Sequence, residues 1–457
     1  MMSQLLIKDG KCVGPGGSFS ANLLIDEGRI VAIGRGLNST AERVIDARGK
    51  LVLPGGIDVH VHFPWPTGTH ISTDNFASGT KAAAFGGVTT VLDFVIPEEE
   101  EGLIEALERK LAEARQEAWV DYSFHLNVRG EVDDKIAEIP HLVGDGFPSF
   151  KAFMAYEGFR LPDSDLLRVM KAIAQAGGML GVHAENGLLA DCLTQELVEN
   201  GETALANYPR ARPSPCETEA IHRVLSYARL MGVRLHIHHV STGQGAKLIG
   251  KARRESLPVS AETCPHYLAF SDEDYTGDPV QAAYLVCAPP IKSAQDQASL
   301  WQALANDSLS IVATDHCPYT KKQKEAHLDN FTLVPGGMAG IETRLPLVYT
   351  EGVVKGRLSL SRFVEVWATE PARSFGLYPR KGIIAVGSDA DLIILDPNQR
   401  SKLQAARLHM NTDCIPYEGL EVYGLPVTTI LRGEVVVEEG RLATEGPQGR
   451  LIDRRLN

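Results

Sequence analysis

Eight short apolar runs alternate with longer helical patterns between Gly55 and Cys317, and this alternation restricts the possible fold more than any other feature of the chain. The intervening segments, such as DLLRVMKAIAQAG, place apolar residues three and four positions apart, which is typical of amphipathic helices. Strands that alternate with helices indicate βαβ units in an α/β protein, and eight such units favour a (β/α)₈ TIM barrel over an open sheet. The predicted strands are GIDVHVHF, TTVLDFV, YSFHLNV, SFKAFMA, GMLGVHAEN, LHIHHVS, PVSAETC and SIVATDHC.

The segments on either side of the predicted barrel have a different pattern. Residues 1–53 contain short alternating runs separated by glycine turns, such as NLLIDEGRIVAIG, which is typical of antiparallel β structure. The same pattern returns after Pro379 in KGIIAVGSDADLIILD and TTILRGEVVVEEG. We therefore predict a barrel domain of residues 54–378 and a small β-sandwich domain that combines residues 1–53 with residues 379–457.

Charge and cysteine content exclude several classes of protein. The net charge of −13 disfavours a surface that binds nucleic acid or anionic lipid, because Lys and Arg dominate such surfaces. The N-terminus MMSQLLIKDG lacks the pattern of a signal peptide, and no apolar run approaches membrane-spanning length. Seven cysteines without a CxxC pair favour free thiols in a reducing compartment. We therefore expect a cytoplasmic protein that binds neither nucleic acid nor membrane.

The strongest local motif is Asp58-Val59-His60-Val61-His62 on the first predicted barrel strand. Side chains two apart on a strand share a face, so both imidazoles can reach one ion, although an isolated pair of this kind is somewhat better explained by two structural histidines. Further candidates lie in or near the carboxyl-terminal half of later predicted strands, at the end of a TIM barrel where active sites form. These candidates are Lys151, His183, His239 and Asp315. Histidine together with carboxylate suits Zn²⁺ or another first-row divalent ion.

Lys151 is the most informative single residue because its flanking residues Phe150, Ala152, Phe153 and Met154 predict a buried position. An unpaired ammonium is costly to bury, and burial shifts its pKa by up to about 3–5 units. Three interpretations remain open: a surface lysine with a buried stem, a Schiff-base lysine, and a lysine that CO₂ has converted to an anionic carbamate. Only the carbamate makes Lys151 a metal ligand beside the histidines and the aspartate.

Five motifs, taken together and in order, resemble those of the hydantoinase/dihydropyrimidinase family of cyclic amidohydrolases, in the amidohydrolase superfamily. The resemblance extends over essentially the whole chain. The motifs are Gly55-Gly-Ile-Asp-Val-His-Val-His62, Ser149-Phe-Lys-Ala-Phe-Met-Ala-Tyr156, Val182-His-Ala-Glu-Asn186, Thr314-Asp-His-Cys-Pro318 and Gly387-Ser-Asp-Ala-Asp391. The last of these marks only the wider superfamily.

The resemblance implies a site for two divalent metal ions, with Zn²⁺ expected and Mn²⁺, Co²⁺ or Fe²⁺ as alternatives. His60, His62 and Asp315 would bind one ion, His183 and His239 would bind the other, and N6-carboxylated Lys151 would bridge them with a hydroxide. His239 is preferred over His238 because the family ligand directly precedes a Val-Ser pair, here Val240-Ser241. The period of two along a strand then turns His236 and His238 to the opposite face, toward the helices.

By the same resemblance, the reaction is ring opening of hydantoins or dihydropyrimidines to N-carbamoyl amino acids. Asp315 would act as general acid and base, and the Tyr156 hydroxyl would stabilise the oxyanion. Phe63-Pro64-Trp65-Pro66 follows the histidine pair where dihydroorotase-like members carry an arginine, which counts against a carboxylated substrate. Phe63, Trp65, Phe153 and Phe159 are candidates for an apolar pocket, with core packing an equally good explanation of each.

Tyr156, Ala288 and Gly336 are the expected substrate-binding positions. Hydantoinases commonly have Ser or Thr in place of Ala288 and Asn in place of Gly336, but both positions mainly offer backbone groups to the ring amide. An allantoinase or another cyclic amidohydrolase therefore remains an alternative, and a non-catalytic scaffold relative is the alternative from a different class. The resemblance also implies a homotetramer that acts on a small-molecule cyclic amide.

Overall fold

The first part of the chain forms five strands of a small sheet in the structure, a computed structural model that describes residues 4–37 and 41–456. Alternate apolar residues such as Leu5 and Ile7, and Leu23 and Ile25 on the next strand, are buried in one core, as expected for paired strands with one covered face. The strands are β1 (Leu5–Gly14), β2 (Gly17–Asp26), β3 (Arg29–Gly34), β4 (Arg43–Asp46) and β5 (Leu51–Pro54).

Eight parallel strands form the barrel, and each of the eight predicted strands is one of them. In chain order, and with the hairpin strands β7 and β8 between the first two, these elements are β6 (Gly56–Val61), β7 (Pro66–Thr67), β8 (His70–Ile71), β9 (Val88–Val95), β10 (Asp121–Asn127), β11 (Ser149–Phe153), β12 (Met179–His183), β13 (Arg234–Ile237), β14 (Val259–Thr263) and β15 (Ile311–Val312). A parallel bridge between Val61 and His316, with a hydrogen bond of 2.9 Å from His62 N–H to the His316 carbonyl, brings the two ends of the sheet together.

Helices cover the outside of the barrel. In the helix after β11, Leu166, Val169, Met170 and Ile173 are buried at spacings of three and one, so a single apolar stripe faces the strands. The helices are α1 (Phe76–Phe85), α2 (Leu103–Ala114), α3 (Asp133–Gly144), α4 (Asp163–Ala176), α5 (Gly187–Glu199), α6 (Tyr208–Ala211), α7 (Ser214–Met231), α8 (Gly243–Arg254), α9 (Pro265–Ala269), α10 (Pro279–Tyr284), α11 (Ala294–Ala305), α12 (Lys321–Lys324), α13 (Arg344–Val348), α14 (Leu360–Val364) and α15 (Glu370–Ser374). Within the described residues, no helix combines the length and the apolar character needed to cross a bilayer.

The last strands complete the small sheet. They are β16 (Leu392–Lys402), β17 (Glu421–Leu431), β18 (Glu434–Glu438) and β19 (Arg441–Leu442). β16 pairs antiparallel with β5, so the two ends of the chain share one sheet of order β19-β18-β17-β16-β5-β1-β2-β3, with β4 beside β1. The predicted fold, a TIM barrel with a β-sandwich built from both chain ends, is confirmed.

A buried ionic cluster joins the small sheet to the barrel. Lys381 Nζ lies 2.7 Å from a carboxylate oxygen of Asp121, the first residue of β10, and also contacts Asp391. Arg432, after β17, pairs with the same Asp121. Burial would raise the pKa of Asp121, but Lys381 and Arg432 outweigh that effect and hold this pKa below its usual value. The domain limits at residues 53/54 and 378/379 stay a prediction.

Candidate metal centre

The six predicted ligands converge at the carboxyl-terminal end of the barrel strands. A cavity of about 450 Å³ opens there, and all of the predicted ligands except His60, which lies beneath it, line its wall. In a parallel barrel every strand ends at this face, so residues far apart in sequence meet around one opening. The residues on the wall are His62, Lys151, His183, His239 and Asp315.

His60, His62 and Asp315 form one group of donors whose nitrogen and oxygen atoms lie within 4.8 Å of one another. Nε2 of His60 and Nε2 of His62 lie 3.1 and 3.0 Å from the same oxygen, Oδ1 of Asp315. Burial would raise the pKa of Asp315, but the two imidazoles hold it well below its usual value, so the carboxylate is ionised.

His183 and His239 form a second group on the neighbouring strands. Nδ1 of His183 lies 2.9 Å from Nε2 of His239. Nε2 of His183 donates to a carboxylate oxygen of Glu185 at 2.8 Å, so Nδ1 presents its lone pair to the cavity. Arg212 in turn donates to the same Glu185 oxygen at 2.6 Å, which keeps that carboxylate ionised.

Lys151 also lies at the cavity wall, next to the first of these groups. Its side chain is 1% exposed, so the interpretation as a surface lysine with a buried stem is wrong. Nζ lies 3.2 Å from Nε2 of His60 and 4.0 Å from the centre of the Phe94 ring, and no ion pair of the described residues includes it. Burial lowers the pKa of Lys151 to about 8, which favours the neutral amine more than an exposed position would.

The orientation expected for His236 and His238 is wrong. Both side chains lie inside the barrel, where Nε2 of His236 and Nδ1 of His238 contact Glu262 at 3.0 and 3.2 Å. Strand β13 ends at Ile237, and His239 lies beyond it with a φ of +38°. Because the chain leaves the extended conformation there, the period of two no longer applies, and His239 turns toward the cavity as well.

Two buried carboxylates behind the ligands were not identified from the sequence. Nδ1 of His60 forms a hydrogen bond with Glu262, and Glu185 orients His183 as described above. A carboxylate that holds one imidazole nitrogen directs the lone pair of the other nitrogen toward the ion. The available signal was an acidic residue inside an otherwise apolar strand, PVSAETC, and another directly after a predicted ligand, in VHAEN.

Tyr156 lies on the cavity wall, and its backbone φ is +68°. Its ring centre lies 5.0 Å from that of His183. The guanidinium of Arg212 lies over the Tyr156 ring, 4.8 Å from its centre. Desolvation raises the pKa of the Tyr156 hydroxyl, more than Arg212 lowers it, so the group is a hydrogen-bond donor at neutral pH.

The other predicted substrate-binding positions also lie on the cavity wall. Ala288 and Gly336 are there, together with Trp65, Phe153 and Phe159 from the set of candidate pocket aromatics. Phe63 does not lie on the wall. Its ring packs in the core, 5.7 Å from the ring of Phe76, and points away from the opening.

The donor set fits divalent cations. When the proton of neutral His60 lies on Nδ1, toward Glu262, its Nε2 and Oδ1 of Asp315 are both acceptors although they lie only 3.1 Å apart. Two acceptors at that distance repel each other unless a cation lies beside them. Imidazole nitrogens and a carboxylate are ligands that Zn²⁺ and similar ions take in proteins.

Comparisons with known proteins agree with this geometry. The model of the amidohydrolase family matches residues 51–436. The D-hydantoinase of Geobacillus stearothermophilus is 40% identical over 453 residues, covering 98% of this chain and 96% of the relative. The D-hydantoinase of Streptomyces coelicolor is 39% identical over 446 residues, covering 96% and 95%.

Solved structures give the same result. The crystal structure of dihydropyrimidinase from Brevibacillus agri superposes with a TM-score of 0.96 at 37% identity, covering 99% of both chains. Sequence similarity and fold therefore indicate the same family. The chain belongs to the hydantoinase/dihydropyrimidinase group of the amidohydrolase family, which makes it a hydrolase that acts on the carbon–nitrogen bonds of cyclic amides.

Proposed function

We propose that the protein opens the ring of hydantoins or dihydropyrimidines by hydrolysis and releases N-carbamoyl amino acids. The single observation that carries this proposal is the convergence of three imidazoles, a carboxylate and a buried lysine on one cavity of about 450 Å³, with the fourth imidazole, that of His60, in contact with Asp315 and Lys151. The names of the similar D-hydantoinases and of the dihydropyrimidinase support the same class of substrate.

Two divalent metal ions, Zn²⁺ in the first place, are the proposed cofactor. His60, His62 and Asp315 would hold one ion, His183 and His239 would hold the other, and Lys151, once N6-carboxylated, would supply a ligand to both. When bound, such a pair of ions lowers the pKa of water and polarises a carbonyl, which supplies a nucleophile at neutral pH. The burial of Lys151 supports carboxylation, because its neutral amine can form an N–C bond with CO₂ and release a proton, which leaves an anion where the cations would lie.

Asp315 and Tyr156 are the proposed catalytic residues. Asp315 is ionised and lies at the cavity wall, so it can accept a proton from the attacking water and return it to the leaving amide nitrogen. The protonated Tyr156 hydroxyl faces the same cavity and is positioned to donate a hydrogen bond to the oxyanion. A general acid/base group such as Asp315 contributes roughly 10²–10⁴-fold to the rate.

Backbone groups are the proposed means of ring recognition. Ala288 and Gly336 have no polar side chain, so only their N–H and C=O groups can bind the amide of the ring. Trp65, Phe153 and Phe159 form an apolar part of the wall suited to a substituent on the ring.

The test is a side-by-side assay of hydantoin, dihydrouracil, allantoin and dihydroorotate, with bound metal measured per chain. We expect ring opening of hydantoin or dihydrouracil and about two metal ions per chain, because two groups of ligands are present. A preference for allantoin would identify the alternative cyclic amidohydrolase. Metal-free protein without turnover would identify the non-catalytic scaffold and contradict the proposal.

Location and assembly are proposed on the resemblance and on composition alone. The negative net charge and the seven free thiols support a cytoplasmic protein, and the family resemblance supports a homotetramer. Light scattering coupled to size-exclusion chromatography measures the mass of the assembly, and a monomeric mass would contradict the homotetramer.

A further inference from the structure

Lys324, the last residue of α12, is a buried lysine that the proposed reaction does not use. It is 2% exposed, and no ion pair of the described residues includes its ammonium. Burial lowers the pKa of Lys324 to about 8, and the charged forms that would oppose this are the thiolates of Cys287, Cys414 and Cys317, whose own pKa values burial raises. A buried ammonium without a carboxylate requires other polar contacts.

These contacts are backbone carbonyls of two separate loops. Nζ of Lys324 donates to the carbonyl of Val286 at 2.9 Å and to the carbonyl of Pro335 at 2.8 Å. The N–H of Gly337 donates to the same Val286 oxygen at 3.0 Å. Lys324 therefore ties the loop of residues 285–290 to the loop of residues 334–338.

Both loops border the cavity at the positions proposed to bind the substrate ring. Val286 precedes Ala288 by two residues, and Pro335 directly precedes Gly336, while Lys324 itself does not line the cavity. Because Ala288 and Gly336 offer only backbone groups, the spacing of the two loops decides whether those groups meet the ring amide. A displacement of a binding group by about 1 Å is enough to lose much of its effect.

We propose that Lys324 is a positioning residue for substrate binding, whose ammonium holds the 285–290 and 334–338 loops at the spacing that the ring amide requires. This inference rests on the proposed function of the cavity. Lys324 contacts neither the predicted metal ligands nor Tyr156, so its loss weakens binding of the ring in the ground state and the transition state alike. The expected signature is a change in KM with little change in kcat.

The variant Lys324→Met tests the inference, because methionine keeps an unbranched side chain and removes the ammonium. We expect KM for the cyclic amide to rise about tenfold or more, with kcat within about threefold of the parent value. Bound metal per chain stays the same. The matched control is Lys135→Met, since Lys135 is also buried and donates at 3.1 Å to a single carbonyl, that of Glu131, away from the cavity wall.

Hydrogen exchange gives a second readout that needs no substrate. The peptides that contain residues 285–290 and 334–338 should exchange faster in Lys324→Met, and the Gly337 amide is the group most directly affected. Lys135→Met should leave both peptides unchanged. If Lys324→Met does not fold, Lys324→Gln, which keeps a shorter neutral donor, takes its place with a smaller rise in KM.

An unchanged KM, or a fall in kcat together with loss of metal, would overturn the inference and leave Lys324 a purely structural residue. If the parent protein opens none of the rings, the proposed function fails instead. In that case the exchange measurement still shows whether Lys324 holds the two loops, so the two failures are distinguishable.

Discussion

At the scale of the residue, the chemistry of the site depends on groups whose environment is unusual for their type. Lys151 is buried against an imidazole and an aromatic ring, and Tyr156, His239 and Asp315 all have positive φ values, of +68°, +38° and +50°. Non-glycine residues adopt such values at a cost, and they concentrate where surrounding structure holds a functional group in place.

Lys151→Ala should lose both metal ions and activity, because the proposed bridging group disappears. Elemental analysis gives metal per chain, and turnover of a hydantoin gives activity. A short carboxylic acid added to the variant should restore part of both, since it can replace the missing carboxylate in the space left by the side chain. Full metal content and full turnover in Lys151→Ala would show that no carbamate is needed.

Tyr156→Phe should lower kcat by about 100-fold or more while KM changes little, as expected for a donor that acts in the transition state. Steady-state kinetics separate the two constants. Tyr227→Phe is the matched control, because its hydroxyl donates to Asp163 at 2.9 Å and does not line the cavity. An unchanged kcat in Tyr156→Phe would remove this residue from the mechanism.

At the scale of the element, the end of β13 decides which histidine reaches the proposed second metal ion. His238 continues the alternation of the strand and contacts Glu262. His239 itself has a positive φ, which turns its side chain toward His183. Glu262 on β14 holds both His60 and His238, so two neighbouring elements share one orienting carboxylate.

His239→Ala should lose the metal ion of the second group, because one of its two imidazoles is gone. His238→Asn should keep both ions, since asparagine can preserve the hydrogen bond that Nδ1 makes to Glu262 and Nε2 of His238 is not a proposed ligand. Metal content per chain distinguishes the two variants. The opposite pattern would exchange the assignments of the two histidines.

In the molecule as a whole, the carboxyl-terminal part of the small sheet domain is joined to the barrel through buried charge. Asp121 forms ion pairs with Lys381 and Arg432, and all three side chains are largely buried. Removing one partner of such a cluster leaves the other charges buried without compensation.

Asp121→Asn should lower the free energy of unfolding by about 3 kcal/mol, because the two cations lose a buried counter-charge. Urea denaturation measures the change. The control is Asp133→Asn, which removes the exposed partner of Arg168 and should cost at most about 1 kcal/mol. Equal effects of the two substitutions would show that the junction contributes no more than a surface ion pair.

Local sequence patterns were enough to predict the architecture and the types of residue at the site. The spacing of apolar residues and the turn residues are local features. The eight barrel strands and the two β-rich ends could therefore be predicted from the sequence. The motifs likewise placed His62, Lys151 and Asp315 near strand ends that face one opening.

Only the tertiary structure decided the contacts that depend on distant parts of the chain. The inward orientation of His236 and His238, the carboxylate of Glu262 behind His60, and the two loops held by Lys324 all join segments that no local pattern relates. The physical reason is that periodicity fixes which face of an element a side chain occupies. Partner atoms, and the point at which a strand stops being extended, are set by how the whole barrel packs.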